Sequence, residues 1–179
     1  MLKKPLAITG LIFLMMFVLL PCLSAEPVRL QYKYRQGDRY RILSSIQQNV
    51  FVDGRFSHSS HLLNRLHITI DQVENSDEGQ RGFILLDYEA GETVDFQPGI
   101  YHLRDRYRSE FWRDARGIYE IESQYFVPVV RDVPVWPDKT IEPGDTWTYE
   151  GYEVHDFRQP FGIQEPYRFP APAQYRYLG

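Results

Sequence analysis

The sequence predicts an all-β domain, an antiparallel curved sheet or open β-barrel, preceded by an N-terminal signal segment. From Val28 onward, β-branched and aromatic residues alternate with polar ones at the period of a half-buried strand. Gly-Asp, Asp-Gly and Pro clusters break that alternation at short intervals, as turns require, and no segment carries a convincing helical period. At 179 residues, 43% hydrophobic and 25% charged, the chain has the size of one globular domain, and its composition excludes collagen, coiled coil and a multi-span membrane protein.

Residues 1–25 read as a secretory leader. Lys3 and Lys4 make a basic start, Leu11 to Leu20 is an unbroken apolar run ending at Pro21, and beyond it Cys22, Ser24 and Ala25 supply small residues for cleavage. The run is shorter than the roughly 20 residues of a bilayer span, and an uncleaved anchor over Leu6 to Leu23 is the alternative. Cys22 raises a lipid anchor as a further alternative, against which Pro21 stands where a small residue is expected. The 154 residues beyond the leader carry 18 basic and 24 acidic side chains and no cysteine. That balance argues against a dedicated nucleic-acid binder, and stability must come from packing alone.

The elements follow in order. Val28 to Tyr34 alternates cleanly and reads as a strand, turned at Gly37-Asp38 into a long segment from Arg39 to Val52. Asp53-Gly54 is the strongest hairpin signal. A three-residue loop, Val52 to Gly54 with Gly54 in a bulge, pairs even with even positions and puts Tyr40, Ile42 and Ile46 on one face with Leu62, Leu66, Ile68 and Ile70. The tip, polar on both faces, is expected to project beyond the core. After a loop from Glu74 to Gln80, Phe83 to Leu86 is apolar at every position and reads as a central strand. Tyr101, Leu103, Tyr107 and Phe111 share one parity of the next strand, which Asp114 to Gly117 turns back into Ile118 to Ile121. Four prolines between Phe126 and Pro143 mark an edge or a crossing arm. Gly144-Asp145 opens a strand through Trp147 to Val154, and a last alternating strand begins at Gln174 and meets the end of the chain at Gly179, as if a continuation were missing.

Chemistry-bearing patterns are sparse. His58 and His61 lie three apart and so point to opposite faces of a strand, where they cannot chelate one ion without a bulge between them; capture across strands by His67 or His102 is the alternative to a polar hairpin tip. Glu153, His155 and Asp156 resemble an acid–base cluster but equally suit surface positions. There is no nucleophile elbow and no phosphate-binding glycine loop, so neither catalysis nor a cofactor is expected. Arg104, Arg106 and Arg108 form the densest positive stripe, suited to an anionic envelope component, with a solvated strand face as the plain alternative. Trp112 shares their parity and is the aromatic expected at a partner contact. Gly37, Asp38, Asp53, Gly54, Gly144, Asp145 and Trp147 are assigned to turns and packing.

Several segments together carry a family resemblance: Tyr32 to Ile42, Tyr125 to Pro134, Pro143 to Trp147, Glu153 to Arg158 and Gly162 to Pro166. They resemble the N-terminal region of spirochaete envelope proteins of the OmpA family across nearly the whole mature chain. A more distant likeness, through Gly144-Asp145-Thr146-Trp147, is to envelope lipoprotein domains built on curved antiparallel sheets. The family's peptidoglycan-anchoring residues sit in a separate C-terminal domain, so peptidoglycan binding is not carried over to residues here. The resemblance implies a free-standing or truncated N-terminal domain, in the periplasm or associated with the outer membrane, that scaffolds or contacts an envelope partner. A carrier or sensor of apolar ligands, with a groove between curved sheet and Pro-rich arm, is the alternative.

Overall fold

The computed structural model describes residues 26–77, 79–94 and 102–179, with the backbone alone at 102 and 104. The expected leader over residues 1–25, with Cys22, and Tyr101 and the Arg104 side chain lie outside the described residues. Strands β1 (Arg39–Val52), β2 (Arg55–Ser76), β3 (Gly79–Val94), β4 (His102–Asp114) and β5 (Tyr119–Glu120) neighbour one another in sequence order and curl strongly into an antiparallel half-barrel. Strands β6 (Val130–Arg131), β7 (Thr146–His155) and β8 (Tyr167–Arg176) make a second antiparallel sheet, with the single helical turn α1 (Arg158–Phe161) between the last two. Among the described residues no helix is long and apolar enough to cross a membrane.

Asp53 and Gly54 have φ of 49° and 75°, the two positive values that a type I′ turn requires, and Val52 pairs with Arg55 across them. The loop is therefore two residues long, not three. Even-to-even pairing is recovered one step later by an extra residue, Ser57, on β2: Phe51 faces Phe56, but Val50 faces His58, and from there Ile46 faces Leu62 and Ile42 faces Leu66. A slip of one residue would turn every apolar side chain to water, so the strand takes the bulge instead. Asp71 on β2 and Arg104 on β4 are extra residues of the same kind. Each bulge bends its strand and increases the local twist, which is how long strands curl. The bulge at 104 also corrects the expected parity: Leu103 pairs with Gly91 and is 52% exposed on the outer face, away from Tyr107 and Phe111.

β3 is the middle strand, and Ile84 and Leu86 on its inner face are buried with Ile70, Phe111 and Val127. Phe83 and Leu85, on the outer face, are half-buried.

The segment before β1 is not the expected strand. Only Val28 forms a bridge, to Ile141, and the chain then crosses the sheet as a strap. Tyr32 N–H donates to Ala115 O at 2.7 Å, Gly37 N–H to Ile70 O at 2.8 Å, and Ile70 N–H returns to Asp38 O at 2.9 Å. The strap lies over β3 because Gly82 has no side chain there; a Cβ would come within 2.7 Å of the Tyr34 ring. The expected loop from Glu74 shrinks, since β2 runs to Ser76 and β3 starts at Gly79. β8 likewise begins earlier than expected and passes through Pro170 and Pro172, which an edge strand tolerates because one side of its ladder is open. The helical turn α1 was not anticipated, being too short to show a period, and it ends at Gly162 with φ of 71°.

The Pro-rich arm crosses between the sheets. Trp136 N–H donates to Arg116 O at 2.8 Å, and β6 pairs with β7. Gly144, with φ of 100°, donates its N–H to Tyr177 O at 2.8 Å, and the Asp145 carboxylate accepts Glu142 N–H at 3.0 Å. Trp147 Nε1–H donates to Val135 O at 2.8 Å, and its ring stacks on Tyr175 at 5.2 Å.

Candidate functional site

A groove of about 320 Å³ runs between the inner face of the half-barrel and the segments that cross it. Its floor is Leu66, Ile68, Ile84, Leu86 and Phe111 from β2, β3 and β4; its walls are Tyr32 and Tyr34 of the strap, Tyr40 of β1 and Pro128 of the arm. The floor is apolar because even positions of β2 meet even positions of β3 in register, Leu66 with Tyr88 and Ile68 with Leu86. Toward β1 the same face stays open, with Tyr40, Ile42 and Ile46 exposed. The volume falls at the small end of ligand pockets, and the lining has their usual composition of apolar and aromatic side chains with a few polar groups.

Two of those polar groups are fixed. Tyr34 Oη donates to Asp114 O at 3.0 Å, and burial pushes its phenol well above the ordinary range, so it stays neutral. Arg113 lies over the Tyr32 ring at 4.0 Å and the Tyr119 ring at 4.8 Å, with Nε–H donating to Gly117 O at 3.2 Å. Burial also raises the Tyr119 phenol. The chain reverses here because Asp114 Oδ1 accepts N–H from Arg116, Gly117 and Ile118 at 2.8–3.0 Å.

A second hollow, about 250 Å³, opens farther along the inner face between Tyr88, Tyr107, Val127, Val154 and Asp156. Tyr107 Oη donates to Asp156 Oδ2 at 2.8 Å, and Arg158 Nε and Nη2 bind the same carboxylate. The guanidinium, whose central carbon lies 4.3 Å from the Phe126 ring centre, holds the Asp156 carboxyl down at about 2. Burial, then the Asp156 carboxylate, pushes the Tyr107 phenol up. The Glu153–His155–Asp156 run therefore separates into two pairs, with His155 Nε2 3.0 Å from Glu153 Oε2. His58 and His61 are also apart: His61 bonds Ser45 Oγ at 2.6 Å and His58 contacts Ser57. Among the described residues no three His, Cys, Asp or Glu side chains gather where a metal ion would sit.

Of the residues singled out in the sequence for ligand or partner contact, Arg106, Arg108 and Trp112 lie on the outer face. Arg106 Nη2 bonds Glu89 at 3.1 Å, Arg65 bonds the same carboxylate at 3.0 Å, and Arg108 is 3.9 Å from Asp87. The two guanidinium hydrogen bonds hold the Glu89 carboxyl below its ordinary value, Arg106 first. Both described members of the arginine stripe are thus paired within the sheet. Trp112 packs on Phe83, ring centres 5.2 Å apart, beneath the Arg81 guanidinium at 4.5 Å. It borders a rim hollow of about 580 Å³, larger than the groove. Several of the charges that line it are engaged within the chain, Arg29 with Asp138, and Arg81 with Glu120 and with Glu74 beyond the lining.

The groove walls were missed from the sequence because Tyr32 and Tyr34 alternate as a strand would. The signal that could have found them is Gly82, an isolated glycine in an apolar strand, which marks a place where another segment approaches closely. Comparison with known protein families, with curated proteins and with solved structures gives no match to this chain.

Proposed function

We propose that this protein is a non-catalytic binding domain of the cell envelope, and that its inner groove takes the apolar part of a lipid-like ligand. One observation carries the reading: a preformed apolar groove of about 320 Å³ that continues into the exposed Tyr40, Ile42 and Ile46. Exposed apolar side chains contiguous with a concave apolar surface are a costly arrangement unless something covers them. The envelope location is supported by the basic and apolar pattern of residues 1–25 and by the resemblance to OmpA-family N-terminal regions. The groove favours a ligand carrier or sensor over a purely structural part.

Protein isolated from its own envelope without delipidation, analysed by native mass spectrometry, is expected to carry a bound lipid or fatty acid. Purified protein is expected to bind a fluorescent fatty acid, and Ile68→Trp, which fills the groove, to lose that binding while unfolding as the wild type does. A clean mass together with no uptake of the probe by the wild type would reject the reading.

The scaffold reading keeps one specific support, the long β1 strand at the edge of the half-barrel, with no neighbour beyond it among the described residues.

A further inference from the structure

We infer that the free edge of β1 pairs antiparallel with β1 of a second copy, about a two-fold axis through Ile46, joining two half-barrels into one continuous sheet. This goes beyond the ligand reading and does not depend on it.

β1 is 14 residues long and forms one edge of the five-stranded sheet, whereas the opposite edge, β5, has only two. Soluble proteins protect long edges with charges, prolines or bulges that interrupt pairing. None of these occurs on β1 between Ile42 and Val52: the stretch has no charged residue and no proline, and the bulge near its end places the extra residue on β2. Exposed apolar side chains stand on it, Ile42 at 48%, Leu43 at 66% and Ile46 at 43%, interspersed with exposed uncharged polar ones at Ser45, Gln47 and Asn49.

The occupant is specified by a symmetry in the sequence of β1. On the inner face, stepping outward from Ile46, the first positions on either side are polar, Ser44 and Gln48. The second are apolar, Ile42 and Val50, and the third are apolar, Tyr40 and Val52. A strand face whose pattern reads the same in both directions matches itself in an antiparallel pair, apolar against apolar and polar against polar; the outer face does not share the symmetry, since Leu43 falls opposite Asn49. Ile46 then meets its own counterpart.

Charge agrees with the same register. Pairing about Ile46 sets Arg39 beside Asp53 of the second copy, and Arg41 beside the Phe51 ring. Among the described residues Arg39, Arg41 and Asp53 make no ion pair within their own chain. The inner faces of the two half-barrels would adjoin along β1, apolar at Ile42, Ile46 and Val50 and polar at Ser44 and Gln48. A closed two-fold contact consumes both edges at once, so it stops at the dimer.

Analytical ultracentrifugation of the full chain is expected to show a concentration-dependent dimer. Ile46→Lys sets two lysines face to face and is expected to weaken the dimer by about tenfold or more. A one-to-one mixture of Ile46→Lys with Ile46→Glu is expected to restore it. Because Ile46 is exposed, both variants should keep the wild-type strand signal in circular dichroism, which checks that they fold. In a Cys22→Ser background, Ile46→Cys is expected to cross-link to itself under mild oxidation, since directly opposed strand residues lie within disulfide reach. Ser44→Cys alone should not cross-link, but Ser44→Cys mixed with Gln48→Cys should. A monomer at all concentrations, a dimer indifferent to Ile46→Lys, or a failure of Ile46→Cys to cross-link would each overturn the inference.

Discussion

Tyr107 and Asp156 tie the two sheets together: the phenol of a half-barrel strand donates to a carboxylate just past β7, at 2.8 Å. Arg158 closes the far side of that carboxylate and holds its acidity at about 2 against an ordinary 3.8. A depressed carboxyl contributes stability that is fully present above its unfolded value and is lost as pH falls through the folded one. Asp156→Asn is therefore expected to unfold at a lower temperature than wild type at pH 5, and the gap should close between pH 4 and about 2. Thermal unfolding followed by circular dichroism across that range checks it; a gap that stays constant would show that the ion pair is not its source.

Two of the glycines that admit close neighbours, Gly82 and Gly151, should differ in cost. At Gly82 a Cβ meets the Tyr34 ring at 2.7 Å, and that ring is a side chain. At Gly151 it meets Val133 Cγ2 at 2.5 Å and the Arg131 and Asp132 carbonyls at 2.6 and 2.8 Å, which are backbone. Gly82→Ala is expected to cost about 1–3 kcal/mol as an overpacked site does, and Gly151→Ala more. Urea denaturation ranks them.

Arg131 is fully buried, with Nε donating to Pro128 O at 3.0 Å and Nη2 to Tyr125 O at 2.6 Å. Burial lowers the guanidinium's proton affinity, yet the arm is folded around its fork. Arg131→Lys cannot reach both carbonyls and is expected to cost about 2–4 kcal/mol, from the loss of hydrogen bonds to a charged group. Denaturant midpoints of the pair give the value.

On the outer face, Arg106 and Arg108 are more than two-thirds exposed in their ion pairs. Exposed pairs of this kind are screened by salt and contribute little. Arg106→Gln with Arg108→Gln is expected to leave the unfolding midpoint within error of wild type, while the Glu89 carboxyl, followed by NMR titration, moves up toward its ordinary value.

The all-β class, the pairing parity of the first hairpin and the central place of Phe83 to Leu86 were legible in the sequence. Each rests on a local rule: side chains alternate along a strand, Asp-Gly prefers a tight turn, and a strand apolar at every position needs covering on both faces. The same rules misplaced what depends on distant partners. Tyr32 and Tyr34 alternate like a strand, but Gly82 on β3 makes room for Tyr34 and Gly117 for Tyr32 to cross as a strap, and that strap walls the groove. Leu103 left the core face because an extra residue at 104 shifted the register. The arginines at 106 and 108 read as a free stripe until β3 brought Glu89 and Asp87 opposite them. Alternation along one segment tells which residues share a face; which residues of another segment stand across from them is decided only when the chain closes on itself.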